Sequence, residues 1–237
     1  MNELAALQGA TIVFDLDGTL VDSAPDLIGT LNILLGEEGV APLPLEEARP
    51  FIGHGARRLI ERGFAAQGRP APAERMDDLF ARFIAHYNQH SADRTRPFPG
   101  AVPALQAMRR AGAKLAVCTN KLTGLSIPIL EKLDLAPLFD AVVGADSAPA
   151  PKPDRRHLIC AVEAAGGDVT RAVMVGDAAT DAGAARAAGV PLVLVSFGYT
   201  EIPAADLAPD ILIDHFDQLP NACATLLTAC PVQSERL

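Results

Sequence analysis

The chain has 237 residues, 49% of them hydrophobic, and a mean hydropathy of +0.21. That is enough apolar material for one sizeable core, or a core with a small insertion, and too much for a disordered chain. The formal net charge of -9 and pI near 5.0 argue against nonspecific binding to nucleic acid or to an anionic membrane, so an anionic ligand needs a local positive site.

The N-terminal MNELAALQGA has neither a basic n-region nor an apolar h-region, and no segment approaches the ~18 continuous apolar residues of a membrane span. The four cysteines, Cys118, Cys160, Cys223 and Cys230, lack C-x-x-C spacing and lie in strand-like or helix-like segments, which reads as free thiols in a reducing compartment. A soluble cytoplasmic protein is expected.

In chain order, the first strand is TIVF (11–14), which runs into DLDGTLVD. From Asp22 to Arg96 no strand is convincing, and DLIGTLNILLGEEG, GARRLIERGFAAQ and AERMDDLFARFIAHYNQH carry helical periodicity. RPFPG (96–100) has the Pro and Gly of a linker or hinge. Further strands follow at KLAVC (114–118), AVV (141–143), AVMV (172–175) and PLVLVS (191–196), with candidate helices at 101–111, 123–133, 155–165 and 179–188. Apolar, β-branched runs alternating with helices imply a parallel sheet buried on both faces. The expected fold is therefore α/β: a Rossmann-like parallel sheet core (1–22 and 97–237) interrupted by an all-helical cap domain (23–96).

In such sheets ligands bind beyond the carboxyl ends of the strands, which is where Asp15 falls. Asp17 lies two residues on, and the alternation of an extended chain turns both carboxylates to the same side. An Asx-turn explains one aspartate but not two followed by Gly-Thr, and an EF-hand loop would need Asp or Asn at Thr19 and Gly at Leu20. CTNK (118–121), PKPD (151–154) and the Asp177/Asp181 pair of VGDAATD stand at other strand ends. Thr119 as a helix cap, Lys152 as a loop lysine and Asp177 as a helix-dipole partner are each plausible alone; their recurrence after successive strands speaks against coincidence.

The order DxDGT, Thr-Asn, Lys-Pro, GDxxxD, with a helical insertion after the first, resembles the haloacid dehalogenase-like superfamily of phosphatases over essentially the whole chain. Within it the likeness is closest to bacterial phosphoglycolate phosphatases, through DLDGTLVDSAPDL (15–27), FIGHGARRLI (51–60), CTNK and FGYTEIPAADLAPDILID (197–214). Arg155 and Ala178 depart from that pattern, which commonly has Pro and Ser there.

The resemblance implies a phosphatase in which Asp15 attacks phosphorus to form an aspartyl phosphate and Asp17 serves as general acid, then base. The like charges of Asp15, Asp17, Asp177 and Asp181 call for a cation, and oxygen-only ligands at a phosphoryl site suit Mg²⁺. By resemblance, the side chains of Asp15 and Asp177 and the backbone carbonyl of Asp17 hold it, the Asp17 carboxyl group staying free for proton transfer; Asp181 stands behind them. Lys152 neutralises Asp15 and a phosphoryl oxygen, while Thr119, the backbone N–H of Asn120 and Gly18 complete the phosphate site. In the cap, Gly53, His54, Gly55 and Arg57 are expected to select a small substrate carrying a carboxylate, through close backbone approach and the start of a helix near Ala56.

A phospho-Asp receiver switch, the non-enzyme alternative, would not need Asp17 or a helical insertion. A dehalogenase usually lacks the second aspartate. A phosphonate hydrolase needs a cap lysine, and the four lysines are Lys114, Lys121, Lys132 and Lys152. A sugar-phosphate phosphatase or phosphomutase shares DxDGT and stays open. The expected partner is a small anionic phosphate ester, for a monomer or homodimer.

Overall fold

Strand β1 (Thr11–Phe14) has all four residues buried, because parallel neighbours flank it on both sides and helices cover both faces. The computed structural model describes residues 4–229, so Cys230 lies outside the described residues. After β1 come β2 (Val21–Asp22) and helices α1 (Ala24–Glu37), α2 (Leu45–Ala48), α3 (Ala56–Ala66) and α4 (Met76–His90). Strand β3 (Arg96–Pro97) then leads to α5 (Ala101–Arg110), β4 (Lys114–Cys118), α6 (Thr123–Lys132), β5 (Ala141–Val143) and α7 (Arg155–Ala164). The chain continues through β6 (Ala172–Gly176), α8 (Ala179–Ala188), β7 (Leu192–Val195), β8 (Ile211–Ile213) and α9 (Leu219–Ala229).

The six-stranded sheet has the order β5-β4-β1-β6-β7-β8 with every neighbour parallel. With the short β2 and β3 set aside, this is the doubly wound order that reverses direction between β1 and its neighbour β6. Phe14 pairs with Val117 on one side and Val175 on the other, so the residues following β1, β4 and β6 emerge at one edge. The expected Rossmann-like sheet is present, with one strand more than expected, β8, and with the further helix α9.

Alternate residues of β1 feed different cores, as strand geometry requires. Ile12 and Phe14 pack with Leu105, Met108 and Phe216 on one face, whereas Val13 packs with Met174, Leu158 and Val162 on the other. A third cluster joins Leu31, Leu35, Ile60, Phe83 and Tyr87 of the inserted helices to Leu125 and Ile129 of α6.

The entry and exit of the helical insertion are tied together. Val21 pairs antiparallel with Pro97 and Asp22 with Arg96, and the buried Asp26 carboxylate accepts from Thr95 Oγ1 at 2.7 Å and from the Thr95 and Arg94 amides. Cys118, Cys160 and Cys223 are free thiols. Among the described residues no helix is long and apolar enough to cross a membrane.

Candidate active site

Asp15 continues the ladder of β1 by donating its N–H to Val175 O at 2.9 Å, which fixes its side chain just beyond the sheet. Its Oδ1 accepts from the Leu16 amide at 2.7 Å and lies 2.9 Å from Lys152 Nζ. The same ammonium lies 2.7 Å from Asp181 Oδ1. Asp181, in the first turn of α8, accepts the amides of Asp177 (3.1 Å) and Ala178 (3.0 Å) with its other oxygen. It thus satisfies the helix start that Ala178 cannot cap. Asp177 is held by Thr19 Oγ1 at 2.7 Å and the Tyr199 amide at 2.8 Å.

Asp15, Asp177 and Asp181 each bring one carboxylate oxygen within 4.8 Å of the others, and all three are buried. Burial pushes Asp15 up to about 6 against the opposing pull of Lys152, with Asp181 and Asp17 adding to the rise. Burial, Asp181 and Asp15 hold Asp177 well above the usual carboxylate range. Burial opposes the charge on Lys152, but Asp15 and Asp181 outweigh it and raise its affinity for the proton. Four buried aspartates at this edge (15, 17, 177 and 181) face two buried lysines, 121 and 152, leaving two negative charges. Hard oxygen donors, crowding and that remainder fit one divalent cation.

Asp17 departs from its expected freedom. Lys121 Nζ binds both its oxygens, at 2.9 and 2.7 Å, and Ser23 Oγ donates to Oδ1 at 2.5 Å. Lys121 also lies 4.9 Å over the Tyr87 ring, reaching from the loop after β4 to α4. Lys121 has no role among the sequence expectations, although a lysine beside the Thr-Asn pair of CTNK is a signal for one.

Thr119 follows β4, donates its N–H to Val143 O at 3.1 Å and is buried with its side chain at the cavity. The phosphate contact expected of Asn120 is through its backbone N–H; its side chain has a use of its own. Its Oδ1 accepts the Lys152 amide at 2.9 Å, and its Nδ2 donates to Lys152 O at 3.1 Å and Gly53 O at 3.2 Å. Gly18 likewise spends its N–H on Val21 O at 3.0 Å. It is glycine because φ is +83° and a Cβ would lie 2.6 Å from Asp177 Oδ2. His157, absent from the sequence expectations, accepts the Lys152 amide at Nδ1 (3.1 Å) and donates from Nε2 to Val143 O (3.2 Å).

A cavity of about 590 Å³ separates the sheet edge from the inserted helices. Asp15, Asp17, Thr119, Lys121 and Lys152 line one side, and Gly53, His54, Gly55 and Arg57 the other, with Phe80, Phe83 and Leu125 between. The turn before α3 needs its glycines, with φ of +104° at Gly53 and +83° at Gly55, and no side chain caps the helix that follows. Burial and the nearby Arg62 hold His54 below the usual histidine range. Arg57 lines the cavity but is half exposed and already partnered: it pairs with Asp77 at 2.7 Å and stacks over Phe80 at 4.5 Å. Arg58 pairs with Glu61 and Arg62 with Glu201.

The family model of haloacid dehalogenase-like hydrolases matches residues 12–195. The chain belongs to that family. It is an enzyme, and the expected class, phosphoric monoester hydrolase, stands. It is 56% identical over 237 residues to a phosphoglycolate phosphatase of Caulobacter vibrioides, covering 100% of both chains. Over 210 residues it is 45% identical to a phosphoglycolate phosphatase of Agrobacterium fabrum, covering 89% of this chain and 90% of that one. A crystal structure of a predicted phosphoglycolate phosphatase from Haemophilus somnus superposes with a TM-score of 0.82 at 29% identity, over 90% of this chain and 96% of the other.

Proposed function

We propose that this hydrolase cleaves a small anionic phosphate monoester, 2-phosphoglycolate, to glycolate and phosphate. The observation that carries the proposal is the union, at one mouth of the sheet, of Asp15 paired to Lys152, Asp17 two residues on, and Asp177 beside them. The name shared by the similar proteins supports the substrate.

An Asp15 oxygen attacks phosphorus as the bond to the ester oxygen breaks, and Asp17 gives that oxygen its proton. Water then attacks the phosphorus of the aspartyl phosphate, Asp17 takes the water's proton, and the bond to Asp15 breaks to release phosphate. Lys152 orients Asp15 and offsets charge on the phosphoryl oxygens, where Thr119 adds its hydroxyl. Lys121 and Ser23 hold Asp17 toward the cavity and must yield it as the ester oxygen arrives. Asp15 and Asp177 through side chains, and Asp17 through its carbonyl, would hold Mg²⁺, with Asp181 behind them. When bound, the ion supplies charge neutralisation and electrophilic pull on phosphorus.

The inserted helices act in this reading as a cap over the cavity, hinged at the β2–β3 ribbon, and the uncapped start of α3 offers amides to the substrate's carboxylate. The cytoplasmic setting expected from the sequence agrees with the free thiols at Cys118, Cys160 and Cys223. The cavity is roomy and partly apolar for a two-carbon acid, which favours a sugar-phosphate phosphatase as the second reading. Turnover of 2-phosphoglycolate and a panel of sugar phosphates by purified enzyme with Mg²⁺ decides: the highest kcat/KM belongs to 2-phosphoglycolate, and a sugar phosphate in first place would overturn the assignment.

A further inference from the structure

The segment FGYT (197–200) follows β7 and supplies no acid, base or nucleophile to the proposed chemistry. Tyr199 is nevertheless buried, and it touches both the carboxylate cluster and the entry to the helical insertion. Its amide donates to Asp177 Oδ2 at 2.8 Å. Its hydroxyl donates to Asp22 Oδ1 and accepts from the Ala24 amide at 3.1 Å. Asp22 ends β2 and Ala24 begins α1, so one phenol grips the chain where it enters the insertion. Arg49, beyond α2, pairs with Asp22 at 3.1 Å and lies 5.3 Å over the Tyr199 ring. Gly18 also abuts the ring, where a Cβ would come 2.9 Å from a ring carbon.

We infer that Tyr199 is a positioning residue that couples occupancy of the carboxylate cluster by a divalent cation to the setting of the hinge at Asp22–Ala24. The inference rests on the reading of Asp177 as a cation-binding acid. An Asp177 oxygen drawn toward a cation takes the Tyr199 amide with it or loses that hydrogen bond. The same residue's ring and hydroxyl are packed against the hinge, so they cannot stay still while the amide moves. Coupling between two sites is reciprocal: if the cation favours one hinge setting, loosening the hinge weakens the cation.

The test compares the native enzyme with Tyr199→Phe, which keeps the ring and removes only the hydroxyl. Mg²⁺ affinity is measured by calorimetry, and amide hydrogen exchange at residues 21–30 is followed with and without Mg²⁺. The native enzyme gains protection at the Ala24 amide on binding Mg²⁺. Tyr199→Phe loses that gain and binds Mg²⁺ about fivefold or more weakly, the lower end of ordinary coupling. Asp22→Asn gives the same weakening, and the double variant is no worse than either single one. A residue that merely supported packing would leave the Mg²⁺ affinity and the Mg²⁺-dependent protection in place, and that result overturns the coupling while leaving the cation site intact. A native enzyme that takes up no Mg²⁺ overturns the cation reading and the coupling with it. Arg49→Ala, which touches the hinge and none of the clustered acids, repeats the measurement if the phenylalanine variant fails to fold.

Discussion

Lys121 Nζ lies 2.7 Å from Oδ2 of Asp17 and 2.9 Å from Oδ1, across 104 residues of sequence. The pair is buried, so each partner compensates a charge that water cannot reach. Lys121→Met leaves Asp17 without that partner. It is expected to lower kcat by roughly 10²-fold, within the ordinary range for general acid-base groups, and to destabilise the fold by about 3 kcal/mol. Steady-state kinetics and urea unfolding check both. Replacing both residues, by Lys121→Met with Asp17→Asn, restores part of the stability and none of the activity.

Divalent cations should stabilise the enzyme because two negative charges at the sheet edge lack a protein partner. Mg²⁺ at about 100 times its Kd is expected to add about 2.7 kcal/mol, seen as a rise in Tm over the EDTA-treated enzyme. In Asp177→Asn the increment shrinks. An EDTA-treated enzyme that kept full activity would contradict the role given to the cluster.

Burial, with Lys152 adding, pulls His157 down from the ordinary 6.5 to about 4. Between those values the unfolded chain binds a proton that the folded one refuses, so folding loses ground as pH falls. The contribution of His157 is whole above pH 6.5, declines progressively below it, and is lost by about pH 4, a total of about 3 kcal/mol. Urea unfolding of the native enzyme and of His157→Gln across this window shows it: the native curve falls more steeply toward acid.

The start of α3 is tested without disturbing the glycines, since Gly55 at φ +83° would strain any replacement. Ala56→Pro at the first helical position removes one amide donor and suits the helix geometry. It is expected to lower kcat/KM for 2-phosphoglycolate by about tenfold, the value of one hydrogen bond to a charged group. An aryl phosphate without a carboxylate should lose little. Equal losses on both substrates would make the α3 start a support for the turn alone.

The strands at 11–14, 114–118, 141–143 and 172–175 were legible because burial on both faces demands unbroken apolar runs. Ile211–Ile213 was not: it closes a stretch broken by Pro203 and Pro209, which mark loop, and β7 alone pairs with it. The acids were legible because each follows a strand. The partnership of Lys152 with Asp15 was legible too, through the Lys-Pro motif; that of Lys121 with Asp17 was not, since it depends on how the loop after β4 converges on the residues beyond β1. Tyr199 was visible only as part of FGYT, because its contacts, Asp22 and Asp177, lie 177 and 22 residues away.

The most direct test of the account is to stop turnover of 2-phosphoglycolate with acid within the first catalytic cycles and weigh the peptide that carries Asp15. The account predicts one added phosphoryl group on Asp15, absent when Asp15→Asn is treated in the same way. Rapid hydrolysis with that peptide unmodified, or with the phosphoryl group on another residue, would contradict it.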